Sequence, residues 1–264
     1  MDFELKGKRA VVSGSTAGIG FAIATALAAE GASVVVNGRT EARVAAALEQ
    51  IRAAVEGAEL TGVAADLGTA AGVEAFLNAV PETDILVNNL GIFEVKPFAE
   101  ITDADWLRFF EVNVLSGVRL ARHYLPVMRD KNWGRVIFIS SESAVNIPVE
   151  MIHYGMTKTA QVAVARGLAE SVAGTGITVN SILVGPTTSE GVATFLEDMA
   201  KKQDVTTAQI EKEFFQHVRP SSLLKRFEKP EEVAAVVAFV ASARGGIING
   251  AAVRADGGVV RAAL

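Results

Sequence analysis

The chain has 264 residues, half of them apolar and about a fifth charged, a size that one α/β core can occupy. A formal net charge of −5 gives no electrostatic reason to expect nucleic acid or an anionic membrane surface as a partner. There is no cysteine, and the three histidines are scattered, so disulfides, thiolate catalysis and cysteine zinc sites are excluded and no metal-ligand spacing is present. No run of 18 apolar residues appears, and Met1-Asp2-Phe3-Glu4-Leu5 lacks a basic segment followed by a long apolar one. No signal peptide and a cytoplasmic location are therefore expected.

Short β-branched runs alternate with longer alanine-rich stretches. Arg9–Ser13 reads as a strand and Ile19–Glu30 as a helix, with Ser13-Gly14-Ser15-Thr16-Ala17-Gly18-Ile19-Gly20 between them. The spacing G-x-x-x-G-x-G after a first strand is a variant of the dinucleotide fingerprint. Glycines let backbone N–H groups approach a pyrophosphate, and the helix N-terminus adds a partial positive charge. Ser33–Asn37 is the second strand, and the chain leaves it as Gly38-Arg39-Thr40. An acidic residue there would hold the ribose 2′-hydroxyl of NAD. None is present, and Arg39, with help from the Thr40 hydroxyl, suits a 2′-phosphate, so NADP(H) is favoured over NAD(H). Glu41–Val55, Gly72–Ala79 and Trp106–Met128 follow as helices, with strands at Leu60–Ala64 and Ile85–Asn88. Arg135–Ser140 and Thr178–Leu183 are strands flanking a helix over Tyr154–Ala173, and Pro230–Ala241 and Ala252–Ala255 close the pattern.

Nearly continuous apolar strands fit a parallel sheet buried on both faces. Strand–helix alternation of this kind predicts an α/β, doubly wound parallel sheet in one domain, with ligands at the carboxyl ends of the strands. From about residue 188 to 220 the alternation is interrupted by two amphipathic stretches, Val192–Lys201 and Thr207–His217. An insertion at that edge is expected to act as a helical substrate lid.

Tyr154 and Lys158 stand four apart at a helix start and so share one face. An ammonium beside a phenol favours the phenolate and moves the tyrosine towards the range useful for acid–base catalysis. Ser141, just past its strand, places a hydroxyl at the same edge, where strand termination is the alternative role for Ser140 and Ser141. His153 reads as a packing residue rather than a base, and Glu142 and Glu150, bracketing a loop, read as solvated.

With these residues in place the sequence resembles the short-chain dehydrogenase/reductase family, of Rossmann-like fold, over essentially its whole length. Gly14, Gly18 and Gly20 match its glycine motif, Asp66-Leu67 its adenine contact, and Asn88-Asn89-Leu90-Gly91 its Asn-Asn-Ala-Gly segment. Asn113, Ser141 and Tyr154-Gly155-Met156-Thr157-Lys158 match its catalytic residues; Thr178-Val179-Asn180 and Asp256-Gly257-Gly258 also fit. Departures are Leu90 for alanine, Val184-Gly185-Pro186 for a Pro-Gly pair, and Ser189 for a threonine.

The resemblance implies hydride exchange between a nicotinamide and a carbonyl or secondary alcohol. Tyr154 would be the general acid/base, Ser141 the partner of the carbonyl oxygen, Lys158 the holder of the ribose, and Asn113 the holder of a relay water. Cofactor contacts are implied at Gly14, Ser15, Thr16, Gly18, Ile19, Gly20, Arg39, Thr40, Asp66, Leu67, Asn89, Gly91, Tyr154, Lys158, Gly185 and Thr187. Phe93, Val145, Ile147, Val149, Phe195 and Met199 suggest a small hydrophobic carbonyl substrate. A 3-oxoacyl-carrier-protein reductase is the chief alternative, weakened by Asn132 and Thr175 where carrier-docking arginines are expected near the cleft. A non-catalytic NADP-sensing protein is the second. A homodimer or homotetramer is expected, with no metal, nucleic acid or membrane partner.

Overall fold

In the computed structural model, which describes residues 2–188 and 190–263, seven strands form one parallel sheet in the order β3-β2-β1-β4-β5-β6-β7. They are β1 Arg9–Val12, β2 Ser33–Gly38, β3 Leu60–Ala64, β4 Ile85–Asn88, β5 Gly134–Ser141, β6 Ile177–Val184 and β7 Ala252–Ala255. The helices are α1 Gly18–Ala29, α2 Glu41–Ala54, α3 Ala70–Ala79, α4 Asp103–Phe110, α5 Ser116–Asp130, α6 Ile152–Ser171, α7 Glu190–Gln203, α8 Thr207–Glu213 and α9 Pro230–Ala241. Ser189, and the side chain of Phe195, lie outside the described residues.

Side chains alternate across the pleat, so each strand feeds two cores. Ala10, Val12, Val34 and Val36 pack with α1 and α9 on one face. Val11, Val35 and Leu86 pack with Phe76, Tyr124 and Ala165 on the other. Both cores exclude water, which is why the central strands read as unbroken apolar runs. A third, smaller core of Leu196, Ala200, Ile210, Phe215 and Phe227 joins α7 and α8 to the chain after them.

The expected helix Trp106–Met128 differs in detail. It begins at Asp103, where Thr102 and Asp105 form a capping box. It is also broken by a π-helical turn, Glu111–Leu115, between α4 and α5. One extra residue per turn shifts the phase of a helix without changing its composition, so hydrophobic periodicity alone does not reveal it. Strand order reverses between β1 and β4. The crevice above that switch point is where such sheets take ligands.

Candidate functional site

Gly14 and Gly18 sit at φ +61° and +57°, a left-handed conformation that glycine adopts without a Cβ penalty. A Cβ on Gly20 would lie 2.4 Å from both Asn89 Nδ2 and the Gly14 carbonyl, so α1 can approach the β4 loop only with glycine there. Helix α1 starts at Ala17 with no side-chain cap and no acidic residue in its first turn. By contrast, α2, α3, α4 and α8 are capped by Thr40, Thr69, Thr102 and Thr206. The first N–H groups of α1 are thus left for an anion at the switch point, as a pyrophosphate requires.

Ser13 and Asn37, which were not among the expected site residues, hold this turn together with Asn89. The Ser13 hydroxyl accepts from Asn89 N (2.9 Å) and Leu90 N (3.0 Å). Asn37 Oδ1 accepts from Gly14 N (3.1 Å), and its Nδ2 donates to the Val63 and Ala65 carbonyls. Asn89 Nδ2 donates to the carbonyls of Ser13 and Gly14. A buried amide or hydroxyl needs partners on several strands, and strand order is not visible in the sequence. The Ser15 hydroxyl is occupied within the turn, donating to Val12 O at 2.7 Å and accepting from Asn37 N. Its backbone N–H is also occupied, donating to Asn37 O at 2.8 Å.

Thr16 stands against Gly38, where a Cβ would meet its methyl at 2.4 Å. Arg39 and Thr40 are exposed at the end of β2, and Arg39 makes no ion pair or hydrogen bond among the described residues. The Thr40 hydroxyl accepts from Arg43 N as the cap of α2. Asp66 is exposed and turns its carboxylate to Gly68 N (3.0 Å). Leu67 is buried in the second core. Ile19 is half-buried on α1.

Ser141, Tyr154, Lys158 and Asn113 come together beyond β4 and β5. The Ser141 hydroxyl accepts from Ser143 N at 3.1 Å and stands near enough to the Tyr154 phenol to favour its ionised form. Lys158 Nζ donates to Ile139 O at 2.9 Å and lies 5.6 Å from the centre of the Tyr154 ring. Burial pushes the Tyr154 phenol up to about 12, against the lowering effect of Ser141. Burial pulls the Lys158 ammonium down to about 8. The sequence expectation, a phenol lowered chiefly by Lys158, is thus replaced by one in which desolvation dominates.

Asn113 lies in the π-turn and is 1% exposed. Its Oδ1 accepts from Ile92 N (2.7 Å), and its Nδ2 donates to Ile92 O and Thr157 Oγ1. Gln161 Nε2 donates to the Asn113 carbonyl at 2.6 Å. The side chain therefore locks the β4 loop beside Gly91 to α6, and its carbonyl already has a donor. A Cβ on Gly91 would sit 3.5 Å from both Asn113 Oδ1 and Lys158 Nζ. His153 is fully buried against Phe109, ring centres 4.1 Å apart, and burial holds its pKa down.

Gly185 and Thr187 follow β6. Glu228 N donates to Pro186 O (2.8 Å), and Thr188 N donates to Glu228 O (2.9 Å). The buried Glu228 carboxyl is pushed up to about 7 by desolvation, against a bond from Gly185 and with Asp256 adding repulsion. A folded-state proton held to about 7 and an unfolded one released near 4.5 mean that unfolding releases a proton in between. Stability then falls as pH rises through that window. Glu228→Gln is expected to gain stability of about 2–3 kcal/mol over the wild type at pH 8 and little at pH 4, read from denaturant unfolding at both pH values.

Two expectations are corrected here. Glu142 is not solvated: it is 3% exposed and paired with Arg219, whose Nε lies 2.8 Å from Glu142 Oε1. Arg219 Nη1 also reaches the half-buried Glu150 at 3.4 Å. The pairing joins residues 77 positions apart, a separation that no local pattern signals. Asn132 and Thr175 precede β5 and β6. They lie at the amino ends of these strands, about 23 Å by strand rise from the Ser141 end, so within one chain they do not border the cleft. Of the apolar pocket candidates, Phe93, Val145 and Val149 are more than half exposed, Ile147 is exposed, and Met199 packs against the third core.

A family model described as short chain dehydrogenase matches residues 8–200. The chain is 48% identical to the oxidoreductase YvaG of Bacillus subtilis (strain 168) over 261 residues, 99% of each protein. It is 33% identical to the 3-oxoacyl-[acyl-carrier-protein] reductase FabG of Aquifex aeolicus (strain VF5), over 98% of this chain and 100% of that one. Among solved structures, L-sorbose reductase from Gluconobacter frateurii, complexed with NADPH and L-sorbose, superposes with a TM-score of 0.93 at 31% identity. That match covers 99% of this chain and 100% of the other.

Proposed function

The chain belongs to the short-chain dehydrogenase family and is an oxidoreductase, and from that premise we propose that it interconverts a carbonyl compound and a secondary alcohol with NADP(H). The observation that carries the reading is the convergence of Ser141, Tyr154 and Lys158 on one edge of the sheet, beside an uncapped helix N-terminus.

The nicotinamide, when bound, supplies or accepts the hydride; the protein orients, protonates and excludes water. Tyr154, protonated throughout the neutral range, gives its proton to the carbonyl oxygen. Ser141 donates to the same oxygen and stabilises the charge that develops on it. Lys158, charged below about 8, holds the ribose and favours the phenolate as the proton leaves. Asn113 acts through position: its amide fixes the Ile92 backbone and Thr157, and a relay water would share its carbonyl with Gln161. The N–H groups after Ala17, with Gly14, Gly18 and Gly20, would hold the pyrophosphate. Asp66, Leu67, Asn89, Gly91, Gly185 and Thr187 would line the remaining length of the cofactor.

Arg39 would pair with the 2′-phosphate, having no competing partner among the described residues. Arg39→Ala is expected to weaken NADPH binding by about 10-fold or more, the worth of a charge-assisted pair, and NADH binding hardly at all. Equal losses in fluorescence titrations with the two cofactors would defeat the assignment.

The lid role for residues 188–220 rests on the separate core of α7 and α8, and the apolar Phe93, Val145, Ile147 and Val149 support a hydrophobic face on the substrate. The full-length similarity to a 3-oxoacyl-carrier-protein reductase favours a second reading, in which the carbonyl reduced is the 3-oxo group of a carrier-linked acyl thioester. NADPH oxidation with a panel of free ketones, ketoses and a carrier-bound 3-oxoacyl thioester separates the two. Turnover of the thioester alone overturns the free, small hydrophobic substrate and leaves the carbonyl reduction; no turnover of any compound overturns both. Exposed Phe98, Leu107 and Phe110 supply apolar surface for a homodimer or homotetramer. No described helix is long and apolar enough to cross a membrane.

A further inference from the structure

We propose that the buried Glu142–Arg219 pair is a positioning element for Tyr154, tying the end of the α7–α8 segment to the turn that carries Ser141 and setting the pH at which the phenol exchanges its proton. The inference deepens the proposed function, since it assigns the pair a purpose in the acid–base step.

The contacts tie the pair to the residues that surround the phenol. Glu142 follows Ser141 directly, and Ser143 N donates to the Ser141 hydroxyl at 3.1 Å, so the short turn Glu142–Ala144 and the serine hydroxyl move as one unit. Thr159 Oγ1 donates to Ala144 O at 2.8 Å, fastening the same turn to α6 one residue after Lys158. Arg219 closes the arrangement from the other side. It ends the π-helical turn Phe214–Val218 that follows α8. Its Nε holds Glu142, and its Nη1 reaches Glu150 and the Val218 carbonyl. A single guanidinium thereby spans both ends of the 142–150 loop.

Such a pair is a poor source of stability. The two side chains are 4% and 10% exposed, and taking both charges out of water offsets most of their attraction. Glu142 Oε2 is buried with no hydrogen-bond partner, a further cost. What the pair does supply is fixed geometry and a fixed field. The Glu142 carboxylate disfavours the Tyr154 phenolate and the Arg219 guanidinium favours it, so the two oppose each other at the phenol. Ser141 and Lys158 are the other groups facing Tyr154. Asp256 acts on Glu142, and Glu150 on Arg219. His153, one residue before Tyr154, packs against Phe109 and Trp106 instead.

The chain has two tyrosines, which makes the phenol directly observable without a substrate. Tyr124 is fully buried, donates to Val80 O at 2.7 Å and is pushed far up by desolvation. In protein labelled with 3-fluorotyrosine, whose phenol is more acidic, two ¹⁹F resonances are expected, and Tyr154→Phe removes the one that titrates first. Arg219→Gln should move that midpoint up by about one pH unit and Glu142→Gln should move it down, the shift expected for loss of one nearby charge. The double variant should return close to the wild type. Midpoints unmoved in both single variants, or moved in the same direction, would overturn the proposal, because loss of packing alone carries no opposite signs. Glu142→Gln keeps shape and volume, so its downward shift decides the matter if Arg219→Gln does not fold. The titration uses no substrate. An opposed pair of shifts in a protein that reduces no carbonyl compound would therefore refute the proposed reaction and leave the electrostatic coupling in place.

Discussion

Tyr154→Phe is expected to lower kcat for carbonyl reduction by about 10²–10⁴-fold, the range for loss of a positioned general acid, while NADPH affinity stays within a few-fold of the wild type. Phenylalanine keeps the ring and its packing and removes the oxygen that Ser141 meets. The hydroxyl of Ser141 can still polarise a carbonyl, so residual turnover should persist, with KM little changed because the loss falls on the transition state. The pH profile gives an independent check. Tyr154, pushed up to about 12, remains a proton donor across the working range. Lys158, pulled down to about 8, loses its charge first. In the wild type, kcat for reduction should be level below about pH 8 and fall above it as the neutral amine stops supporting the phenolate. A variant retaining near-normal turnover would remove Tyr154 from the chemistry.

Gly20→Ala carries the second large effect. The added Cβ would stand 2.4 Å from the Gly14 carbonyl and from Asn89 Nδ2, and 3.1 Å from Asn89 Cγ. The first contact is backbone and cannot rotate away, so the turn must open or α1 must retreat. Opening the turn strains the bonds from Asn89 to the Ser13 and Gly14 carbonyls. It also displaces the uncapped start of α1. A loss of stability of about 1–3 kcal/mol is expected from overpacking, together with a fall of about 100-fold or more in NADPH affinity, since the donors for the pyrophosphate no longer converge. Thermal unfolding and NADPH fluorescence titration read the two separately. Unchanged affinity in a folded variant would show that this turn does not hold the cofactor.

Much of this architecture is legible locally. The strands β1, β2, β4, β5 and β6 lie within a residue of where apolar runs end, because a strand buried on both faces needs apolar side chains on both. The spacing of Gly14, Gly18 and Gly20 and the four-residue step from Tyr154 to Lys158 are properties of one turn and one helix, and both appear in the structure as the pattern implies. Residues whose surroundings come from distant chain are not legible in this way. Glu142 looked like a loop carboxylate until Arg219 closed over it. Asn113 was expected to hold a relay water, and its side chain is instead taken up by Ile92 and Thr157 while Gln161 donates to its backbone carbonyl. Ser13 and Asn37 looked like strand-end residues, yet they knit β1, β2 and the loops after β3 and β4 into one turn.

The sequence alone therefore determined the element types, the parallel sheet, the glycine turn after β1 and the spacing of Tyr154 and Lys158 on one helix, because periodicity and short spacings are short-range physics. Only the tertiary structure decided how those groups are charged. Desolvation raises Tyr154 and lowers Lys158, and a buried guanidinium from the far end of the α7–α8 segment stands opposite a carboxylate next to Ser141. Burial and field depend on what the whole fold places around a group, and no neighbour in sequence carries that information.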